Sequence, residues 1–543
     1  MANNQTQAAK RETTAEAARI LKALRFYREA KKELDRNVLT NEDWFRAQHW
    51  KHIKGRQPGI GHEPTTPFIL NAVWNKHADA MDSYPEPLFF EREEADRAEA
   101  EKLSKIVPLV LEKNDFERVY SDVCWQKIKQ GTGIYYIGWD PSKEGGLGDI
   151  IIKKVDILHF YVQPHLDDIQ KSPFIFVLSL ADELELKRRY PGKLFETAIP
   201  GVSLSSYFGS YSQEELAGKC CLIDCYEKCR NKKGKEVVHL TKLAGNTILY
   251  STKTDRALKE TGLYAHGLYP FVLDPYIPNE GSPFGIGLIE IARPTQAYID
   301  RLDYLIERNC LVSGRQRWLV KRSSGIRPED VRDLAKDFIE CDSSVDDSVV
   351  RPLQAASFPS HILEHRQNKI NELKEVIGNR DFTQGGTSSN VTAYKAISAL
   401  QETGSKLSRD TQKSSYRAFR DIVNLCMELI REFYDEERSF RIAGADGRVE
   451  YASISNTSLK EKAEVSLTGE TVYRKAIFDI KVIPQRKTAF TSDRHNELIE
   501  KLYEEGAFTP EKAESAIIAL DAMMIDNKDS IIRALQEIIQ KNA

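Results

Sequence analysis

The run His361-Ile362-Leu363-Glu364-His365 matches an H-x-x-E-H arrangement. In that arrangement two histidines four apart on one helix face hold zinc, and the glutamate polarises a zinc-bound water. Such chemistry would make the chain a zinc-dependent peptidase using His361, Glu364 and His365. The plainer reading is that no further ligand is evident and the same residues are polar positions on a charged helix. Cys220, Cys221, Cys225 and Cys229 form a second group. Cys221, Cys225 and Cys229 share a face on a strand and also on a helix. The spacing is not the paired C-x-x-C of zinc ribbons and knuckles, so small apolar core residues are favoured over a metal site.

Arg315, Arg317, Lys321 and Arg322 surround Trp318 in a basic strand. Cations with an aromatic are what contact with a phosphate backbone needs. The same strand could instead face acids of a neighbouring subunit, of the kind offered by Asp342, Asp346 and Asp347, and a subunit interface is the favoured reading. The segment Asp381 to Asn390 is small, polar and glycine-rich, with no cation between Arg380 and Lys395. It reads as a mobile loop that could brush a duplex with hydroxyl, amide and backbone groups, or as an ordinary link between helices. No G-x-x-x-x-G-K-[ST] run occurs, and Gly285-Ile286-Gly287 lacks the third glycine of a dinucleotide loop, so the chain is not expected to be an ATPase. No G-x-S-x-G elbow supports a serine hydrolase either.

The elements that must position these residues follow from hydrophobic period. Apolar positions at Ala18, Leu21, Leu24 and Tyr27 predict a helix over 12–35, ended by a loop with Asn37 and Asn41. A second helix carries Ile69, Val73 and Ala80 and is stopped by Tyr84-Pro85-Glu86-Pro87. Two helical pieces fill 91–128. From Gly131-Thr132-Gly133 the period changes to short β-branched and aromatic runs at 134–139, 150–155, 174–180, 221–226, 237–243 and 247–251, which makes 132–280 an α+β region. After Gly285 a long helix runs to Val312 with Pro294 as its first residue and Tyr298, Leu302 and Leu305 as its apolar stripe. A βαβ-like insertion covers 313–358, and a helix from Ser360 to Ile377 returns the chain. Residues 391–434 read as one helix of roughly 66 Å, either bent or crossing between packed bodies. Strands are expected at 440–442, 449–454 and 476–483, and the last 53 residues are expected to be helical, with Thr509-Pro510-Glu511 as an N-cap, N1 proline and first-turn acid.

Whole-chain composition bounds the function. The chain has 543 residues, 41 % hydrophobic and 29 % charged, enough to bury several cores. Mean hydropathy is −0.47, and no run approaches the roughly 18 apolar residues of a membrane span. No charged-then-apolar leader opens it, which points to a protein made and used in a cytoplasm. Eight cysteines fit a reducing compartment. Lysine and arginine total 78 against 81 acids, a net charge of −3, so any DNA contact is expected to be local or loose.

The order of these elements resembles the core of tailed-bacteriophage portal proteins, the head-to-tail connectors. The resemblance rests on the helix 286–312, a small insertion, a returning helix, the Gln384-Gly385-Gly386 loop and a long helix with Ala393, Ala396 and Leu400. Glu42-Asp43-Trp44-Phe45-Arg46-Ala47-Gln48-His49-Trp50 is similar to the early tryptophan-containing segment of many portals. The strand 133–140, Val155-Asp156 and the stretch Pro164-His165-Leu166-Asp167-Asp168 are similar to the family's wing. The resemblance implies an α+β subunit with an α/β wing, a long-helix stem, a small α/β clip and a helical crown. Its division would be wing 1–285, stem helices 286–312 and 359–379, clip 313–358, tunnel loop 380–391, long wing helix and wing strands 392–490, and crown 491–543.

The same resemblance implies a homo-oligomeric ring, usually a dodecamer, at one capsid vertex of the virion, assembled in the host cytoplasm. Double-stranded DNA would pass through it during packaging and ejection. A terminase motor, head-completion or tail-adaptor proteins, and a major capsid or scaffolding protein would be its partners. Enzymatic activity, a cofactor, a metal and a membrane contact are not expected. By position Gln384, Gly385, Gly386, Thr387, Ser388 and Asn390 would form the DNA-channel loop. Arg315, Arg317, Trp318, Lys321 and Arg322 would form the clip interface.

Overall fold

The computed structural model describes residues 2–53, 63–193, 218–314, 317–322, 350–353, 359–378, 406–443, 449–460, 462–465 and 471–485, with a few isolated positions besides. It is mixed helix and sheet, as an α+β chain should be. In chain order it opens with α1 (Ala2–Phe45), α2 (Phe68–Met81), β1 (Tyr84–Glu91), α3 (Arg97–Lys113) and α4 (Phe116–Gln130). Strands β2 (Thr132–Asp140), β3 (Asp149–Lys154), β4 (Phe160–Val162) and β5 (Phe174–Asp182) follow, then α5 (Glu183–Arg189). Next are β6 (Lys219–Arg230), β7 (Glu236–Ala244), β8 (Thr247–Ser251), β9 (Phe271–Pro275), β10 (Ile277–Asn279) and β11 (Ser282–Ile286). The rest is α6 (Leu288–Gly314), β12 (Arg317–Val320), β13 (Val350–Leu353), α7 (Ser360–Ile377), α8 (Lys406–Phe433), β14 (Arg438–Ala443), β15 (Val449–Ile454), β16 (Lys462–Val465), β17 (Thr471–Arg474) and β18 (Phe478–Gln485). Contacts divide the chain into one unit of residues 1–35, 75–287 and 407–543, and another of 36–74 and 288–406.

Two large apolar centres stand out among the described residues of the first unit. In one, Leu103, Val107 and Val110 of α3, Val119 and Val123 of α4, and Phe419, Val423, Cys426 and Ile430 of α8 are spaced by three, four or seven residues. That spacing puts each set on one helix face, and the faces close on the antiparallel sheet β3-β2-β9. Phe116 meets Phe419 at 5.7 Å, and Trp139 stacks on Phe433 at 4.7 Å. A buried ion pair joins three of these elements: Lys127 Nζ donates to Asp274 Oδ1 (2.6 Å) and to Ser415 Oγ (2.7 Å). In the second centre, Ile20, Leu24 and Tyr27 of α1 pack on one face of the antiparallel sheet β4-β5-β6-β7-β8. Cys221, Ile223 and Cys225 alternate on that face of β6, while Cys220 is buried on the other. Cys220, Cys221 and Cys225 are therefore core while Cys229 is half-exposed, and burial pushes the Cys221 thiol up to about 12.

Backbone approach explains the glycines near 285. Gly131 closes α4 at φ +90°, and a Cβ there would lie 2.2 Å from the Gly285 carbonyl oxygen. A Cβ on Gly287 would lie 2.7 Å from the Lys129 carbonyl oxygen. These glycines let two backbone segments cross, rather than cradling a phosphate.

Several expectations are corrected. The first helix does not end at Asn37 but continues to Phe45, because Val38, Asn41 and Trp44 extend its buried stripe by steps of three. Tyr84-Pro85-Glu86-Pro87 is not only a helix stop; it opens β1, which pairs antiparallel with β18. Pro294 is not the first residue of α6 but lies inside it, since Leu288, Ile289 and Ala292 are already helical and buried. Of the expected α6 stripe only Leu302 is buried; Tyr298 and Leu305 are exposed. In the βαβ-like insertion 313–358 the two strands are the antiparallel pair β12–β13, with Arg317 opposite Leu353 and Val320 opposite Val350, and most of the chain between them lies outside the described residues. Strands β16 and β17 form a further hairpin that the hydrophobic pattern does not mark. Residues 391–405 and the expected C-terminal helices from Thr509 lie outside the described residues.

Candidate functional site

In the second unit, α6 carries the polar residues Gln296, Asp300 and Asp303 at spacings of four and three, which sets them along one helix face. All three are buried. A carboxylate inside a protein needs a charged or hydrogen-bonded partner. Asp300 has two hydrogen-bonding partners: His49 Nδ1 lies 2.6 Å from Asp300 Oδ2, and Gln296 Nε2 donates to Asp300 Oδ1 at 2.9 Å. His49 Nε2 donates to the Trp44 carbonyl at 2.9 Å, and its ring stacks on the Trp44 indole at 4.4 Å. Both His49 and Asp300 side chains are 0 % exposed. Gln296 Nε2 also reaches the Thr66 carbonyl at 2.8 Å, and Trp50 packs on Tyr304 at 5.3 Å.

The second carboxylate, Asp303, receives Arg366 of α7. Arg366 Nη2 donates to Asp303 Oδ2 at 3.1 Å and Arg366 Nε donates to Asp303 Oδ1. This two-pronged pairing fixes α7 against α6, and the carboxylate keeps the guanidinium pKa above its ordinary value. Farther along, the exposed Tyr298 ring meets His365 edge-on at 6.1 Å and lies under Lys369 Nζ at 5.7 Å. The arrangement positions a helix pair.

His361, Glu364 and His365 are exposed on α7. Among the described residues no group of three or more His, Cys, Asp or Glu converges to hold a metal ion, so the peptidase reading gains no ligand set there. Arg317 and Trp318 lie on β12, and Lys321 and Arg322 follow it on exposed backbone. Arg315 lies outside the described residues, as do Gln384, Gly385, Gly386, Thr387, Ser388 and Asn390. The structure thus brings β12 and β13 together but leaves the channel loop without a described position. The pairing of His49 with Asp300 was not foreseen. Its one sequence signal is the segment Glu42 to Trp50, whose His49 and Trp50 meet Asp300 and Tyr304 of α6 while Trp44 backs the His49 ring.

Among the described residues no helix is long and apolar enough to cross a membrane. Residues 331–543 match the model of a family described as phage P22-like portal protein. The matched stretch is less than half of the chain and takes in β13, α7, α8 and β14 to β18. It supports a tailed-phage portal protein, the family that the order of elements resembles. No curated protein matches the chain.

Proposed function

We propose that this chain is the subunit of a tailed-phage portal, a ring at one capsid vertex that serves as conduit for genome packaging and ejection. The observation that carries the proposal is the portal-family match over 331–543. The succession of α6, the β12–β13 pair and α7 gives it physical support, because two helices tied by Asp303 and Arg366 suit a stem and the hairpin between them suits a clip. On this reading 1–285 and 392–490 are wing, 286–312 and 359–379 stem, 313–358 clip, 380–391 tunnel loop and 491–543 crown.

The role needs no active site, and the family is structural rather than enzymatic. A conduit must let a duplex slide. Every phosphate neutralised by lysine or arginine releases counterions and strengthens the hold, so an uncharged channel loop on a subunit of net charge −3 favours passage over grip. Gln384, Thr387, Ser388 and Asn390 are the proposed channel-facing side chains. Arg317 and Lys321 are the proposed clip contacts, where charge suits a platform that exchanges a terminase motor for tail-adaptor proteins. The test is native mass spectrometry with negative-stain averaging of the purified protein. A closed ring with a central hole is expected; a monomer or dimer at all concentrations overturns the reading.

A further inference from the structure

We propose that the groove between β9 and α8 receives α5 from a second copy of this chain. The proposal rests on the portal reading, which requires head-to-tail contacts, and it says which two surfaces make one of them. A heterologous contact needs two different, complementary patches on the same subunit.

The receiving patch is a groove of about 650 Å³ in the first unit. Its floor is apolar, formed by Phe271, Val272, Leu425 and Met427, and its rim carries Asp168 and Asp421. Glu428, also on the rim, is already engaged by Arg431 and by Lys475 at 3.2 Å. Asp168 uses one oxygen to cap the Gln170 amide at 2.8 Å. Burial against the groove raises the Asp421 carboxyl, and the charge of Asp168 adds to this against the pull of Arg420. An apolar floor between two mutually repelling carboxylates fits an apolar side chain flanked by cations.

The donating patch is α5. Leu186 anchors this helix to its own body, while Leu184 is 68 % exposed. Leu184 and Arg188 are four apart and share the outward face; the exposed Lys187, paired with Glu183, and the exposed Glu185 flank it, and Arg189 lies beyond Glu185. The helix therefore presents a leucine beside one guanidinium group, with a second cation and a carboxylate at its edges.

The two patches lie apart on the same subunit. Asp168 and Gln170 precede β5 and α5 follows it, so the nine-residue strand Phe174–Asp182 separates groove and helix by about 30 Å. A chain cannot fill its own groove with its own α5, but a neighbour can.

Charge exchange tests the contact. D168K/D421K and R188D/R189D are expected each to cut the ring fraction in native mass spectrometry at least tenfold; R188D/R189D should leave the thermal midpoint unchanged, and D421K alone, which keeps the Asp168 cap on Gln170, separates the lost contact from the lost cap. Combining all four substitutions in one chain is expected to restore rings. Rings formed by either pair as readily as by wild type overturn the groove contact and leave the portal reading standing, as does failure of the combination to rescue. Wild-type protein that forms no ring overturns the portal reading instead. In that event, bismaleimide cross-linking of L184C mixed with N424C, both in a background with Cys229, Cys310 and Cys341 replaced by serine, decides the groove separately. Cross-linked dimers retain the contact, and their absence overturns it.

Discussion

His49 and Asp300 are 251 positions apart, and neither retains any exposed surface. Removing one member of such a pair leaves the other buried without its partner, which costs about 3–5 kcal/mol, whereas an exposed pair is worth under about 1 kcal/mol. Asp300→Ala should therefore lower the urea midpoint far more than Lys32→Ala, whose exposed pairing with Glu29 spans 3.2 Å. Equal midpoints for the two variants would contradict this. His266 gives a pH dependence. Its Nδ1 accepts from the Leu268 amide at 3.0 Å, which only the neutral ring can do, and burial pushes its pKa down to about 4. The unfolded chain, titrating near 6.5, binds the proton first. Stability is thus fully present above pH 6.5 and falls as pH drops towards 4, by up to about 3 kcal/mol. Thermal midpoints measured from pH 7 to pH 4 should show this slope, and His266→Phe should flatten it.

At the scale of elements, the crossing of Gly131 with Gly285 and Gly287 is the most exacting contact. Gly131→Ala combines a positive φ with a 2.2 Å clash on backbone, and a loss of about 3 kcal/mol is expected in denaturant titration. Ala at Gly145, also at positive φ but with open space around it, should cost only the strain, about 1 kcal/mol. The legible elements were those whose own side chains repeat with a clean period: α3, α4, α7 and the strands β5 to β8. Elements set by distant partners were not legible. The strand β1 alternates buried and half-buried residues from Tyr84 to Phe89, yet Pro85 and Pro87 read as breakers because their pairing with β18 lies far along the chain. A proline is tolerable in such a two-stranded edge. Asn37 and Asn41 read as a loop for a similar reason: tertiary burial outweighs their weak helix propensity. The site suffered most, since one helix carried Asp300 and Asp303 while their partners His49 and Arg366 came from segments on either side of it in sequence.

For the whole molecule, the portal reading makes two expectations that a folded monomer alone would not. Gly385→Pro with Gly386→Pro should stiffen the proposed tunnel loop and shorten the packaged genome, and an unchanged genome length would remove that loop from the channel. Arg317→Glu with Lys321→Glu should impair ring assembly, read as a shift from ring to free subunit in native mass spectrometry. Intact rings would place those cations elsewhere than at the clip interface. In both cases a circular dichroism spectrum like that of the wild type separates a lost contact from a lost fold.

The pairing of β1 with β18 sets a timetable for synthesis. The ribosome releases β1 roughly 390 residues before β18, a wait on the order of 20 to 80 seconds at 5–20 residues per second. Through that interval Phe89, buried at 5 % exposure in the finished chain, has no strand beside it. The first unit cannot close before β18 has been made, so nascent chains stay incomplete until residue 485 has emerged. Fragments ending before residue 478 should accordingly aggregate or recruit chaperones, and only chains that include β18 should enter assembly.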